Sequence, residues 1–122
     1  MPWELVSDRP IYIQLVDEIK LRIITNYYKS GERLPAVREL AAEAEVNPNT
    51  MQRALSELEN SGLIITQRTS GRNVTEDTAV IRNAKYAIAD EVTEKYLKKM
   101  ETLGFNINDT VKFIKREIVT NE

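Results

Sequence analysis

The dipeptide Asn47-Pro48 constrains this chain's architecture more than any other pair of residues in it. Asn is among the best N-cap residues, because its side-chain oxygen accepts an otherwise unpaired backbone N–H of the first turn. Pro at the first helical position costs nothing, since the N–H it lacks would be an orphan there anyway. A helix should start at this point. Met51, Ala54, Leu55 and Leu58 then recur at i, i+3, i+4 and i+7, the stripe of a helix that faces a core. Ser61-Gly62 supplies the stop, so the pattern predicts a helix over 48–60.

The flanking segments read outward from this helix. Residues 1–9 form an arm with Trp3 and Leu5, and Pro10 sits where a first helical position favours it. Leu15, Val16, Ile19, Ile23 and Tyr27 follow at helical spacing, which predicts an amphipathic helix over 10–26. Ser30-Gly31-Glu32 is a turn closed by Leu34-Pro35. A shorter helix is expected over 36–44, with Val37, Leu40 and Ala41 on one face. Beyond Gly62, Leu63 to Gln67 is prone to form a strand, Thr69-Ser70-Gly71 is a turn, and Asn73-Val74-Thr75 returns to make a small hairpin. A new composition begins near residue 76. Ile81, Ala84, Ile88, Val92 and Leu97 or Met100 predict a long amphipathic helix ending at Gly104. Asn106 with Asp109 is a partial capping box for a last helix, whose stripe is Val111, Ile114 and Ile118. Tyr12, Tyr27 and Tyr28 read as core or rim residues.

Composition narrows the chemistry. The 122 residues include no His and no Cys, which removes thiolate nucleophiles, imidazole or thiolate metal ligands and any Ser-His-Asp triad. No cofactor is expected. No run approaches the roughly 18 apolar residues of a membrane span, and the N-terminus lacks a signal-peptide pattern, so the expected location is the cytoplasm. The formal charge is −2, with 17 basic and 19 acidic residues, which gives no bulk attraction to nucleic acid. Residues 28–75 hold six basic groups (Lys29, Arg33, Arg38, Arg53, Arg68, Arg72) and six acidic ones (Glu32, Glu39, Glu43, Glu45, Glu57, Glu59). Placement matters more than the sum: residues 67–75 carry two arginines and no acid.

Two short helices on a longer first helix, followed by a hairpin, make a winged helix-turn-helix. In such modules the second helix of the pair enters the DNA major groove and the wing touches neighbouring backbone. Asn47, Asn49 and Thr50 would stand at the N-terminus of that helix, where free N–H groups and the positive end of the dipole meet phosphate. Gln52, Arg53 and Ser56 lie opposite the core stripe, and Gln and Arg suit adenine and guanine edges.

The run Leu34 to Ala41, the stretch Val46 to Ala54 and Gly62-Leu63-Ile64 together resemble the winged-helix domain of GntR-type transcriptional regulators. Arg9-Pro10-Ile11-Tyr12, Asn47 to Thr50 and the short tail with Leu103-Gly104-Phe105 resemble the YtrA subfamily. The resemblance implies DNA contacts from Arg38, Asn47, Asn49, Thr50, Gln52 and Arg53, and from a wing with Gly71 between Arg68 and Arg72. The chain departs from the family pattern at Ala36, where a Ser would cap the second helix with Glu39, and in the wing at Thr69 and Asn73.

The fold expected is mainly α with a small β-hairpin: a DNA-binding domain over 1–76 and a two-helix dimerisation tail over 77–122. Ile81, Ile88, Val92, Leu97, Met100, Phe105, Val111, Ile114 and Ile118 would face a second copy, because two amphipathic helices have too little core of their own. The function expected is a homodimeric, sequence-specific repressor on a two-fold DNA operator, with transport operons as the subfamily's usual targets. A small-molecule effector is left open and unidentified. Two rival classes stand beside this one. A winged helix without a basic face can serve as a protein-interaction module. An enzyme using Asp90 and Glu94 is the weaker rival, since ion pairing with Lys98 on a solvated helix face explains those carboxylates.

Overall fold

The computed structural model describes residues 1–68 and 71–120, with side chains described as far as Arg116. The elements run α1 (Ile11–Ile24), α2 (Val37–Ala44), α3 (Pro48–Asn60), β1 (Ile64–Gln67), β2 (Gly71–Val74), α4 (Thr78–Thr102) and α5 (Ile107–Thr120). The chain is mainly helical with a two-stranded antiparallel hairpin, as the residue pattern implied. It divides into two compact units, Met1–Lys85 and Tyr86–Glu122.

The core of the first unit gathers the expected stripes. Leu15 and Ile19 of α1, Leu40 and Ala41 of α2, and Met51, Ala54, Leu55 and Leu58 of α3 are buried together with Leu34, Leu63, Ile64 and Val74. Val80, Ile81 and Ala84, at the start of α4, pack against the same core. The segment after residue 76 therefore begins as part of the first unit.

Helix ends depart from the sequence reading in two places. Pro10 is the N-cap of α1 rather than its first helical residue, with an extended ψ of 131°. The Gln14 side chain holds the arm instead: its amide donates to the Val6 carbonyl (2.7 Å) and the Arg9 carbonyl (2.9 Å), and its oxygen accepts the Val6 N–H (2.8 Å). At the other end α1 stops at Ile24, and Asn26 turns the chain with a φ of 66°. Tyr27 thus leaves the helical stripe and is exposed, whereas Tyr28 is buried.

In the hairpin, Ile64 pairs with Val74 and Gln67 with Gly71. The first strand starts one residue later than expected, and the second runs Gly71–Val74 rather than 73–75. The turn residues Thr69 and Ser70 lie outside the described residues. A short third edge joins the hairpin. Arg33 bridges Asn73, while Leu34 N–H donates to Arg72 O (2.9 Å) and Val74 N–H to Glu32 O (2.9 Å). Gly31 makes this return possible with a φ of 79°, a region that favours glycine.

In the second unit, Gly104 follows α4 with a φ of 98°, as a left-handed helix end requires. The capping box of α5 is complete: Asp109 N–H donates to Asn106 Oδ1 (2.9 Å), and Asn106 N–H to Asp109 Oδ2 (3.3 Å). Among the described residues no helix is long and apolar enough to cross a membrane.

Candidate nucleic-acid interface

The turn between α2 and α3 sets the geometry of α3, the helix expected to enter the major groove. Glu45 ends α2 in the left-handed conformation (φ 58°), and Val46 N–H donates back to Ala41 O (3.0 Å). Asn47 then caps α3, its Oδ1 accepting the Asn49 N–H at 2.8 Å. Thr50 N–H is taken by Asn47 O (3.0 Å), and Pro48 has no N–H to offer. The expectation that free first-turn N–H groups meet phosphate is therefore corrected. The cap satisfies these donors internally, which leaves the helix dipole and the side chains to face a ligand.

Those side chains lie where the spacing predicted. Asn49, Gln52 and Arg53 are exposed on α3, and Thr50 and Ser56 are half-buried, while Met51, Ala54, Leu55 and Leu58 fill the core. Gln52 Nε2 donates to Ser56 Oγ at 3.3 Å, one turn along the same face. The Arg53 guanidinium lies over the Tyr12 ring, 3.6 Å from its centre. Asn47 and Thr50 line an open groove of ≈ 460 Å³ with Trp3, Leu5 and Ile11, so the N-terminal arm borders the start of α3. Arg38 is exposed in the first turn of α2 and makes no ion pair among the described residues.

The wing is partly tied to α3. Arg72 Nε donates to Glu59 Oε1, which closes an ion pair between β2 and the end of α3. That hydrogen bond is the main reason the Glu59 carboxyl lies below its ordinary pKa, against the opposing effect of burial. Arg68 is exposed just beyond β1, and Gly71 opens β2 with a φ of 75°.

Sequence reasoning missed Arg33. The edge strand brings its guanidinium beside Gly71, and with Arg72, Pro35, Ala36 and Thr66 it lines a cleft of ≈ 330 Å³ between the wing and the start of α2. No local periodicity marks Arg33, because its position depends on pairing with Asn73, 40 residues away in sequence.

The residues assigned to dimerisation separate into three groups, with Ile118 apart. Ile81 packs on the first unit's core, and Met100 is buried within one chain. Ile88, Leu97 and Phe105 are half-buried, and the Phe105 ring meets Phe113 edge-on at 5.0 Å. Val92 (61% exposed), Val111 (39%) and Ile114 (44%) are left open, as are Tyr86, Tyr96, Leu103 and Ile107, which the sequence reading did not select. The Ile118 side chain lies outside the described residues. Leu97, Glu101, Phe105, Asn106, Ile107 and Thr110 line an open cavity of ≈ 410 Å³.

Comparison with known proteins gives this geometry a setting. Residues 11–74 match the family described as bacterial regulatory proteins, gntR family. YhcF of Bacillus subtilis, an HTH-type transcriptional regulator, is 37% identical over 109 residues, 89% of this chain and 90% of that protein. YtrA of the same organism, an HTH-type transcriptional repressor, is 41% identical over 71 residues, 58% of this chain and 55% of YtrA. Among solved structures, a GntR family transcriptional regulator from Listeria monocytogenes superposes with a TM-score of 0.86 at 39% identity, covering 92% of this chain and 98% of its own. The DNA-binding domain of AraR in complex with operator ORE1 superposes with a TM-score of 0.53 at 25% identity, over 62% of this chain and 94% of that domain.

Proposed function

The chain belongs to the GntR family of bacterial regulatory proteins, and from that premise we propose that it is a homodimeric repressor acting on a two-fold DNA operator. It is a transcriptional regulator with a winged helix-turn-helix DNA-binding domain, not an enzyme. The observation that carries the finer reading is α3 itself: a capped helix with Asn49, Gln52 and Arg53 exposed opposite a fully buried stripe. Gln and Arg reach base edges in the major groove, and the half-site centres of a dimer should lie about one helical turn, or a multiple, apart.

In this reading Arg38, Asn47, Asn49, Thr50, Gln52 and Arg53 contact the operator from the helix pair, and Arg33, Arg68, Gly71 and Arg72 do so from the wing side. The AraR domain, bound to its operator, supports assigning these contacts to the winged helix. Repression is proposed by likeness to YtrA, a transcriptional repressor, and the cytoplasm is the compartment where such a regulator would meet DNA. The second unit pairs two copies through the apolar side chains it leaves open. An effector, if this regulator takes one, would be sought first at the ≈ 410 Å³ cavity by thermal-shift screening of transported small molecules.

The direct test is binding to the DNA upstream of the chain's own operon against a scrambled duplex at one fixed salt concentration. Preference for the upstream DNA, weakening steeply as salt rises, is the expected result. Equal affinity for both duplexes overturns sequence-specific regulation, and affinity indifferent to salt favours a protein partner instead.

A further inference from the structure

Three arginines of the first unit, Arg22, Arg53 and Arg72, are held in different ways. Arg22 is enclosed in the first unit, its guanidinium bonded to Glu18, Tyr28 and Met1 O. Arg72 spends its Nε edge on Glu59. Arg53 is held by a ring face alone: its Cζ stands 3.6 Å above the Tyr12 centroid, and no carboxylate pairs with it among the described residues. The difference has a chemical consequence. A carboxylate would occupy the N–H edges of the guanidinium, whereas the negative face of an aromatic ring attracts its plane and leaves every N–H donor free.

Tyr12 is well built for this task. It is the second residue of α1, half-buried, and α1 packs directly on α3 through the shared core. Its ring is thus fixed to the scaffold rather than to a loop. Arg53 stands two residues beyond Met51 and one before Ala54, both buried, so its backbone is equally fixed. Two rigid elements hold a side chain that would otherwise sample many rotamers, which reduces the ordering cost of any contact it makes.

We propose that Tyr12 is a positioning residue for DNA recognition: it holds the Arg53 guanidinium flat so that its free N–H edge meets a paired acceptor on the operator. The acceptor is either O6 with N7 of a guanine or two phosphate oxygens, groups that share one fork-like geometry. This inference rests on the reading above that α3 faces DNA.

The test begins with a duplex selected from a random pool by the wild-type chain. Affinity for that duplex is then measured for wild type, Tyr12→Phe, Tyr12→Leu, Arg53→Ala and the Tyr12→Leu/Arg53→Ala pair, with thermal unfolding followed in parallel. Tyr12→Phe keeps the ring and should bind within about twofold of wild type. Tyr12→Leu should bind roughly five- to twentyfold more weakly. Once Arg53 is Ala, Tyr12→Leu should cost nothing more. If Tyr12→Leu fails to fold, Tyr12→Met, also without a ring, takes its place in the cycle. Replacing guanines with 7-deazaguanine, which lacks N7 but keeps O6, shrinks the Arg53→Ala effect if the acceptor is a guanine and leaves it unchanged if it is a phosphate. A salt slope flattened by about 0.9 in Arg53→Ala marks a phosphate. The proposal is overturned if ringless variants bind as wild type does, or lose equal affinity with and without Arg53. A pool that yields no preferred sequence would instead overturn the reading of α3 on which it rests.

Discussion

Arg22 is a charged side chain only 1% exposed, and its surroundings explain how the fold tolerates it. Burial works against the charged form, yet hydrogen bonds to Glu18 (2.9 Å) and Tyr28 (3.0 Å) outweigh that and raise its pKa. A third bond to Met1 O (2.8 Å) and the Trp3 ring 3.9 Å from Cζ fasten the N-terminal arm to α1. In the sequence, Arg22 is simply the polar neighbour of Ile23, because the arm that buries it is eight residues or more outside the helix. Arg22→Ala should lower stability by about 3 kcal/mol in urea unfolding, as a buried side chain and its charged hydrogen bonds are lost together. Trp3 is the single tryptophan, so the same variant should shift its emission to the red as the ring meets water. The Glu59–Arg72 pair gives a second prediction at this scale. A carboxyl whose folded pKa is lowered stabilises the fold above its unfolded value near 4.5 and loses that contribution as pH falls through the folded one. Wild type should therefore out-stabilise Glu59→Gln near neutrality, and the difference should vanish under acid, which parallel unfolding curves across the pH range will record.

Among the elements, legibility followed how local the determining interactions are. Helix α3 begins and ends where its cap, its apolar stripe and its stop residue say it should, since all three act within a turn or two. The capping box of α5 was readable for the same reason. The third edge of the wing was not, because a single bridge between Arg33 and Asn73 leaves no period in the sequence. The spacing of apolar residues in α4 predicts one stripe. Its Val80, Ile81 and Ala84 instead pack on the first unit's core, while Tyr86, Val92 and Tyr96 are exposed, so the apolar positions serve different surroundings. Helix α2 shows a local signal that this chain leaves out. Ala36 occupies its N-cap with the extended backbone a cap requires (ψ 156°), but offers no side-chain acceptor. Glu39 stands three residues on, at the far position of a capping box. Ala36→Ser should stabilise the protein by about 1 kcal/mol, seen as a higher unfolding midpoint in thermal scans. An unchanged midpoint would mean that the hydroxyl finds a better partner than the helix N-terminus.

For the whole molecule, a formal charge of −2 argues against DNA and the placement of charge argues for it. The acids at Glu39, Glu43, Glu45 and Glu57 keep long-range attraction low, so affinity must come from a few oriented contacts repeated symmetrically. Pairing of two copies, as the proposed function has it, would double those contacts on a two-fold operator. In the second unit Val92, Leu103, Ile107, Val111 and Ile114 are between 39% and 61% exposed, and these are the apolar groups that the proposed pairing would cover. Sedimentation of the intact chain should give twice the 14.0 kDa of one copy. Ile114→Glu with Val92→Glu places charges on positions already exposed in the single chain, so each copy should fold as before, with unchanged helical circular dichroism. Two such charges on each side of an isologous interface oppose pairing, and the variant should sediment as a monomer. Its affinity for the full operator should fall by a factor of about one hundred or more, while affinity for a duplex carrying one half-site stays as it was, because linkage of the two reading helices is lost and the contacts of each are not. A variant that stays dimeric would exclude these residues from the interface. A monomer that binds the full operator as tightly as wild type would show that a single winged helix suffices.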